Sequence, residues 1–258
     1  MSVFEVKDLA LRLGAKTVLR GVKLRMESGS ITAILGPNGA GKSSLLSCLA
    51  GLRKPQEGAV LLDGENVCAL PPRQRGRRLG FLPQAGEIAW SVDVETLVGL
   101  GRTPHHGALG ADRSDRLAVR SALEACELVH LAEREVTQLS GGERMRVLIA
   151  RVLAGEPDWL LADEPLTGLD LRHKIDAARL LRRFARASGG VVVTLHDLDF
   201  ALRYADRCVV LHEGSVIADG PAGSVVDPDT IARAYGVSTR LIEGRSAPLI
   251  EVLDDGDR

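Results

Sequence analysis

Ile31-Thr32-Ala33-Ile34-Leu35-Gly36-Pro37-Asn38-Gly39-Ala40-Gly41-Lys42-Ser43 is the stretch on which the fold turns. Its first five residues are nearly all apolar, as in a strand covered on both faces of a parallel sheet. The next eight match G-x-x-x-x-G-K-[ST], and Ser44 to Leu52 reads as a helix. The glycines let successive backbone N–H groups point into one concavity that a Cβ would obstruct. The helix N-terminus adds partial positive charge at the same place. Lys42 is spaced to reach β- and γ-phosphates, and the Ser43 hydroxyl to ligate Mg²⁺. Gly36, Pro37, Asn38, Gly39, Ala40, Gly41, Lys42, Ser43 and Ser44 are therefore candidate nucleotide contacts. A glycine-rich turn with a chance Lys-Ser pair is the plain alternative, and the flanking strand and helix count against it. The loop by itself allows a kinase, a GTPase or an ATPase.

Outward from this loop the pattern is α/β. Val22 to Glu27 alternates apolar and charged residues, a strand with one wet face, and Ala59 to Gly64 reads as another strand ending in a turn. From about Asp93 to Leu153 the pattern is mostly helical, with apolar residues from Leu117 to Cys126 near a 3.6 repeat. Trp159 to Ala162 and Val191 to Leu195 are short buried strands, and Leu171 to Arg186 is the helix between them, a parallel crossover unit. His105 to Asp112, with its adjacent histidines, is expected to be an exposed loop rather than a metal site. The arginines from Arg73 to Arg78 are expected in a solvated turn. Asp254 to Arg258 reads as a frayed acidic tail.

With 258 residues the chain has room for one large α/β domain carrying an insertion. Its net charge of −1 supplies no global field for nucleic acid or anionic lipid, so none is expected as a partner. The first residues lack a charged segment followed by an apolar one, so no signal peptide is expected. No apolar run approaches the ~20 residues of a membrane-spanning helix. Cys48, Cys68, Cys126 and Cys208 lie far apart without metal spacing, and read as reduced thiols acting as small core residues.

Leu160-Leu161-Ala162-Asp163-Glu164-Pro165 is an apolar strand ending in two acids. Acids at the carboxyl end of a parallel strand lie in the crevice where such sheets bind ligands. Asp163 fits a Mg²⁺-side carboxylate, and Glu164 fits a group that orients or deprotonates a water. Leu139-Ser140-Gly141-Gly142-Glu143 precedes a helix from Arg144 to Leu153. It can be a second anion-binding helix start. Equally, it can be plain capping by Ser140 with Glu143 as its capping-box partner.

GPNGAGKS at 36–43, Gln84, LSGGE at 139–143, LADEP at 161–165, Asp170 and His196, in this order, resemble the signature set of ATP-binding cassette (ABC) ATPases. The resemblance runs from Val3 to Val237. It implies a P-loop NTPase core with an N-terminal antiparallel β subdomain and an inserted helical subdomain. Residues 1–240 would form the ABC ATPase domain, with the insertion at about 88–155, and 241–258 a C-terminal extension. ATP and Mg²⁺ are the implied cofactors. Lys42, Glu164 and His196 would be catalytic, His196 sensing the γ-phosphate, and Ser43, Gln84 and Asp163 would surround the metal. Gln84 would also link ATP state to the membrane partner. Ser140, Gly141, Gly142, Glu143 and Asp170 would meet nucleotide across the interface of a head-to-tail homodimer.

Leu100-Gly101-Arg102-Thr103-Pro104-His105, Leu195 to Ala201 and Ala234-Tyr235-Gly236-Val237 look most like importers of iron–siderophores, haem or cobalamin, with haem the first choice. Such systems imply two integral-membrane permease subunits, an extracytoplasmic binding protein, and a place at the cytoplasmic face of the membrane. The runner-up, a soluble ABC ATPase acting on nucleic acid or ribosomes, lacks support in the near-neutral charge and the single cassette. One departure matters. Leu13 stands where the family carries an aromatic residue against adenine, which should weaken ATP affinity and base discrimination. Ala162 and Ser44 are smaller departures that remove no phosphate or Mg²⁺ ligand.

Overall fold

Two sheets stack on either side of the helix that follows the glycine-rich loop. The computed structural model describes residues 1–84, 91–107, 110–187, 189–245 and 247–253. The first part of the chain gives β1 (Val3–Leu13), β2 (Lys16–Glu27), β3 (Ile31–Leu35), α1 (Lys42–Leu49), β4 (Glu57–Leu62), β5 (Glu65–Asn66), α2 (Pro72–Arg78) and β6 (Leu79–Leu82). A helical stretch follows, with α3 (Val94–Gly99), α4 (Arg113–Ala125) and α5 (Gly141–Ala154). The remainder gives β7 (Trp159–Asp163), α6 (Leu171–Arg186), β8 (Gly190–Thr194), α7 (Leu198–Tyr204), β9 (Arg207–His212) and β10 (Ser215–Pro221). Short helices α8 (Ala222–Val225) and α9 (Pro228–Tyr235) lead to the hairpin β11 (Thr239–Ile242) and β12 (Leu249–Val252).

The N-terminal sheet has the order β2-β1-β4-β5 and is antiparallel. The central sheet has the order β10-β9-β3-β8-β7-β6, parallel except for β10 at its edge. The α/β class, the antiparallel β subdomain and the helical elements expected from the sequence are all present. Alternate residues of the central strands enter two cores. Ile34, Leu161, Val192 and Val209 pack with Leu45, Leu46 and Leu49 of α1 and with Phe4, Val6 and Leu24 of the N-terminal sheet. Ala33, Leu160, Val191 and Val210 pack in the other core with Val147 of α5 and Leu180 of α6. Covering both faces keeps β3, β7 and β8 apolar, apart from the buried Thr32, until the strands reach their carboxyl ends. There the runs stop, at Gly36, Asp163 and Thr194.

α3 and α4 pack against α5. α4 starts with a capping box between Asp112 and Asp115. Asp115 is buried and accepts from Arg102 Nε at 2.8 Å, while Arg102 Nη1 donates to Ala154 O at 2.9 Å and Glu156 Oε2 at 2.6 Å. This pair fastens the start of α4 to the end of α5.

Three expectations are corrected here. His105 is half-buried and its Nε2 bonds Gly155 O at 2.9 Å, so the start of the loop is docked on the end of α5, while Gly107 and residues 110–112 are exposed as expected. Arg73 to Arg78 lies in helix α2, where Arg73 and Arg77 donate to the carbonyls of His106 and Pro104. Arg78 gathers Asp63, Glu65 and Asp158, so the cluster ties neighbouring loops together, while Arg73 and Arg77 stay exposed to water as expected. Cys48, Cys126 and Cys208 are buried thiols, whereas Cys68 is half-exposed and outside the core. The acidic tail at 254–258 and the start of the insertion at 88 lie outside the described residues. Among the described residues no helix is long and apolar enough to cross a membrane.

Candidate functional site

The parallel strands bring their carboxyl ends to one edge of the sheet, and the candidate residues converge there. Gly36 and Gly41 show why the loop needs glycine. Gly36 has φ +142, and a Cβ on it would stand 2.2 Å from Leu211 O. Gly41 has φ +107, and its Cβ would meet Leu19 Cδ2 at 2.8 Å and Val18 O at 3.0 Å. Both positions combine a left-handed backbone with close approach, which only glycine tolerates. Gly41 caps α1 without any side-chain hydrogen bond, so the helix presents its first N–H groups to the cavity beside it. That cavity, about 340 Å³, is lined by Asn38, Gly39, Gly41, Lys42, Ser43 and Ser44, with Glu164 on another side. Pro37 is half-buried, and Ala40 is buried with its carbonyl accepting from Gly214 N at 3.1 Å.

Lys42 is 5% exposed, and its Nζ donates to Gly36 O at 2.7 Å and Pro37 O at 3.2 Å. Burial lowers its pKa, and the nearby Glu164 and Asp163 carboxylates oppose that shift. Ser43 Oγ donates to Asp163 Oδ1 at 3.1 Å, and the same oxygen accepts from Thr194 Oγ1 at 2.7 Å. Glu164 is the hub. Its Oε2 accepts from Gln84 Nε2 at 2.6 Å and its Oε1 lies 2.5 Å from His196 Nε2. Its backbone is left-handed, φ +49, and its N–H donates to Thr194 Oγ1 at 2.8 Å. A non-glycine residue in that conformation holds strain of about 1–3 kcal/mol and is fixed by its surroundings.

Ser43, Asp163 and Gln84 offer oxygen donors with a single carboxylate, a hard set that suits Mg²⁺ completed by phosphate and water oxygens. Among the described residues no three His, Cys, Asp or Glu side chains are grouped so as to hold a metal ion.

The second glycine turn lies elsewhere. Ser140 Oγ accepts from Glu143 N at 3.3 Å, and Ser140 N donates to Glu143 Oε2 at 2.9 Å, a complete capping box at the start of α5. Those bonds hold the Glu143 carboxyl below its usual pKa, with the backbone N–H of Ser140 the main cause. Ser140 and Gly141 are exposed, and no residue of this turn lines the cavity at the glycine-rich loop. Asp170 caps α6, accepting from His173 N at 2.9 Å and from His173 Nδ1 at 2.8 Å, and is likewise exposed. The His173 ring packs on Gly142, where a Cβ would come within 2.0 Å of its Cδ2.

Two of these groups were not anticipated. Thr194 bonds both acids of the site, and its signal was a polar residue closing the buried run Val191-Val192-Val193. His173 joins Asp170 to Gly142, and nothing in its local sequence distinguished it. Leu13 does line the cavity, with Lys16 and Val18 and no aromatic residue among its walls.

The ABC transporter family model matches residues 19–167, well over half of the chain. The chain belongs to the ABC transporter family. This ABC protein is 39% identical to the hemin import ATP-binding protein HmuV of Myxococcus xanthus, over 98% of the chain and 97% of the relative. It is 42% identical to the protein of that name from Pseudomonas aeruginosa, over 91% of the chain and 93% of the relative. Its fold matches a metal-chelate type ABC transporter in an inward-facing conformation, with TM-score 0.86, 25% identity and 99% of both chains covered. It also matches the dimeric ABC cassette MJ0796 in a post-hydrolysis state with ADP and phosphate, with TM-score 0.75 and 28% identity over 85% of this chain and 98% of that one.

Proposed function

We propose that this ABC protein is the ATP-hydrolysing, nucleotide-binding subunit of an importer for haem, or for a related iron–siderophore or cobalamin-type cargo. The observation that carries the reading is Glu164, fixed between Gln84 and His196 beside the Ser43–Asp163 pair and above the loop that buries Lys42. ATP hydrolysis needs a positioned water, a group to take its proton, and positive charge on the phosphates, and these residue types supply each.

In this reading the loop from Gly36 to Ser44 holds the triphosphate, and Lys42 lies against its β- and γ-phosphates. Ser43, Asp163 and Gln84 hold Mg²⁺, which when bound neutralises charge on the phosphate oxygens. Glu164 orients the attacking water and takes its proton on a carboxylate oxygen. His196 keeps that carboxylate aimed and responds to the γ-phosphate. Ser140, Gly141, Gly142, Glu143 and Asp170 close the site of a second copy, head to tail, so two identical surfaces make two sites. The exposure of Ser140, Gly141 and Asp170, away from their own chain's cavity, supports that arrangement.

The likeness to hemin import proteins supports haem as the cargo class. The working assembly would be two copies of this chain, two permease subunits and an extracytoplasmic binding protein, with this chain on the cytoplasmic face of the membrane. Residues 1–240 would be the ABC ATPase domain, with its helical insertion at about 88–155, and 241–258 its extension. A strain lacking the chain, given haem as sole iron source, tests this. Growth should return with the wild-type gene and not with Glu164→Gln, and the chain should co-purify with a many-helix permease. Growth on haem without the chain, or recovery only with ribosomes or nucleic acid, contradicts the proposal.

A further inference from the structure

The glycine-rich loop is backed by residues beyond 19–167, the stretch matched by the family model. Leu211 O, at the end of β9, stands where a Cβ on Gly36 would go, at 2.2 Å. Gly214 N donates to Ala40 O at 3.1 Å. The third support comes from the last residue of α9. Gly36 N donates to Tyr235 Oη at 2.8 Å. The carbonyl of the same Gly36 accepts from Lys42 Nζ at 2.7 Å. One backbone residue thus joins a C-terminal hydroxyl to the ammonium of the phosphate loop.

We propose that Tyr235 is a positioning residue for nucleotide turnover: its hydroxyl fixes Gly36, and through Gly36 the start of the phosphate loop and the seat of Lys42. The assignment rests on the ATPase reading of this site. Gly36 is buried, so without the hydroxyl its N–H would lack the acceptor it now has, and an unsatisfied buried N–H costs more than the bond contributes. The helix that carries the tyrosine is capped at both ends, the far cap lying at its first turn. Asp227 caps the helix, accepting from Asp229 N at 2.9 Å and from Thr230 Oγ1 at 2.6 Å. At the other end His212 Nδ1 bonds Ala234 O at 3.0 Å, and Gly236 takes the left-handed C-cap, φ +72. Burial raises the phenol to about 12, so the hydroxyl stays protonated through the neutral range. The local run Ala234-Tyr235-Gly236 therefore has a physical account: a hydroxyl aimed at the loop, followed by the glycine that lets the helix end there.

The test is Tyr235→Phe in the full chain, which keeps the ring and removes one oxygen. It is measured beside Thr230→Ala, which loosens the cap of α9 and leaves the hydroxyl in place. The bond's loss should lower kcat/KM for MgATP by roughly 5- to 100-fold in Tyr235→Phe, while Thr230→Ala keeps the wild-type value at a similar or lower Tm. Hydrogen exchange at the Gly36 amide of the wild-type chain needs no variant and should be slow. Wild-type constants in Tyr235→Phe, an equal loss in Thr230→Ala, or fast exchange at Gly36 would each overturn the assignment. A wild-type chain with no ATP turnover would instead sink the ATPase reading, so the two failures are distinct.

Discussion

Two glycine turns open helices in this molecule, and they are finished differently. α1 begins at Gly41 with no side-chain cap, and its own chain surrounds it with Lys42, Asp163, Thr194 and Glu164. α5 begins at Ser140 with its cap complete, Ser140 and Glu143 satisfying each other, while Ser140 and Gly141 stay in solvent. The first turn leaves helix N–H groups for a ligand and brings chemistry to it. The second is already satisfied, and its residues do not line the cavity that holds Lys42 and Glu164. A preformed glycine edge of this kind fits a ligand delivered by another copy, because binding then loses little conformational entropy. The capping box and the anion-binding reading are thus compatible: the box orders the turn that a partner's nucleotide would meet.

The strongest way to break this contrast is at the chemistry itself. Glu164→Gln should lower kcat by ~10²–10⁴-fold while leaving nucleotide bound, as measured by phosphate release and by equilibrium binding. Retained turnover would remove Glu164 from its role. Next in size is a paired experiment on the two turns. Lys42→Ala should abolish measurable ATP binding to its own chain. Ser140→Arg should leave that binding intact yet lower turnover by ~10²–10³-fold, the scale of losing a phosphate-directed donor. If Ser140→Arg weakens binding to the isolated chain as much as Lys42→Ala does, the two turns serve one site in one chain.

Leu13→Tyr should tighten ATP binding by roughly 5- to 150-fold, the range of base–aromatic stacking at ~1–3 kcal/mol. No change would mean that Leu13, although it lines the cavity, does not face the base. The smallest effect concerns pH. Burial pushes Cys48 up to about 11 and Cys126, Cys208 and Tyr235 up to about 12. The folded chain then keeps protons that the unfolded chain releases from about 9.0 for the thiols and 10.0 for the phenol. Stability from these groups is therefore complete below pH ~9 and is lost as pH rises through their folded values. Denaturant titrations across that range should show the decline, with a shallower slope above pH ~10 in Tyr235→Phe.

The parts legible in sequence were those set by short-range pattern. The run from Ile31 to Leu35 became β3 with the bounds read from it, and Leu171 to Arg186 became α6, because both-face burial and a 3.6 repeat leave clear traces. The residues read as nucleotide and metal contacts did converge from four strand ends, apart from the Ser140 turn and Asp170, which lie on other surfaces. What the sequence hid was long-range pairing. Arg78 meets Asp63, Glu65 and Asp158, and His105 docks on Gly155, contacts that local composition read as solvation. Tyr235 reaches Gly36 across 199 positions, and only the chain's path around the sheet makes that bond visible.

Nucleotide shared between two copies is what gives both glycine turns a role. Light scattering of Glu164→Gln with and without MgATP reads this directly. The expected result is a monomer that becomes a dimer holding two ATP molecules, with the shift abolished by adding Ser140→Arg. A Glu164→Gln chain that binds ATP and stays monomeric, together with undiminished turnover in the Ser140→Arg single variant, would contradict it.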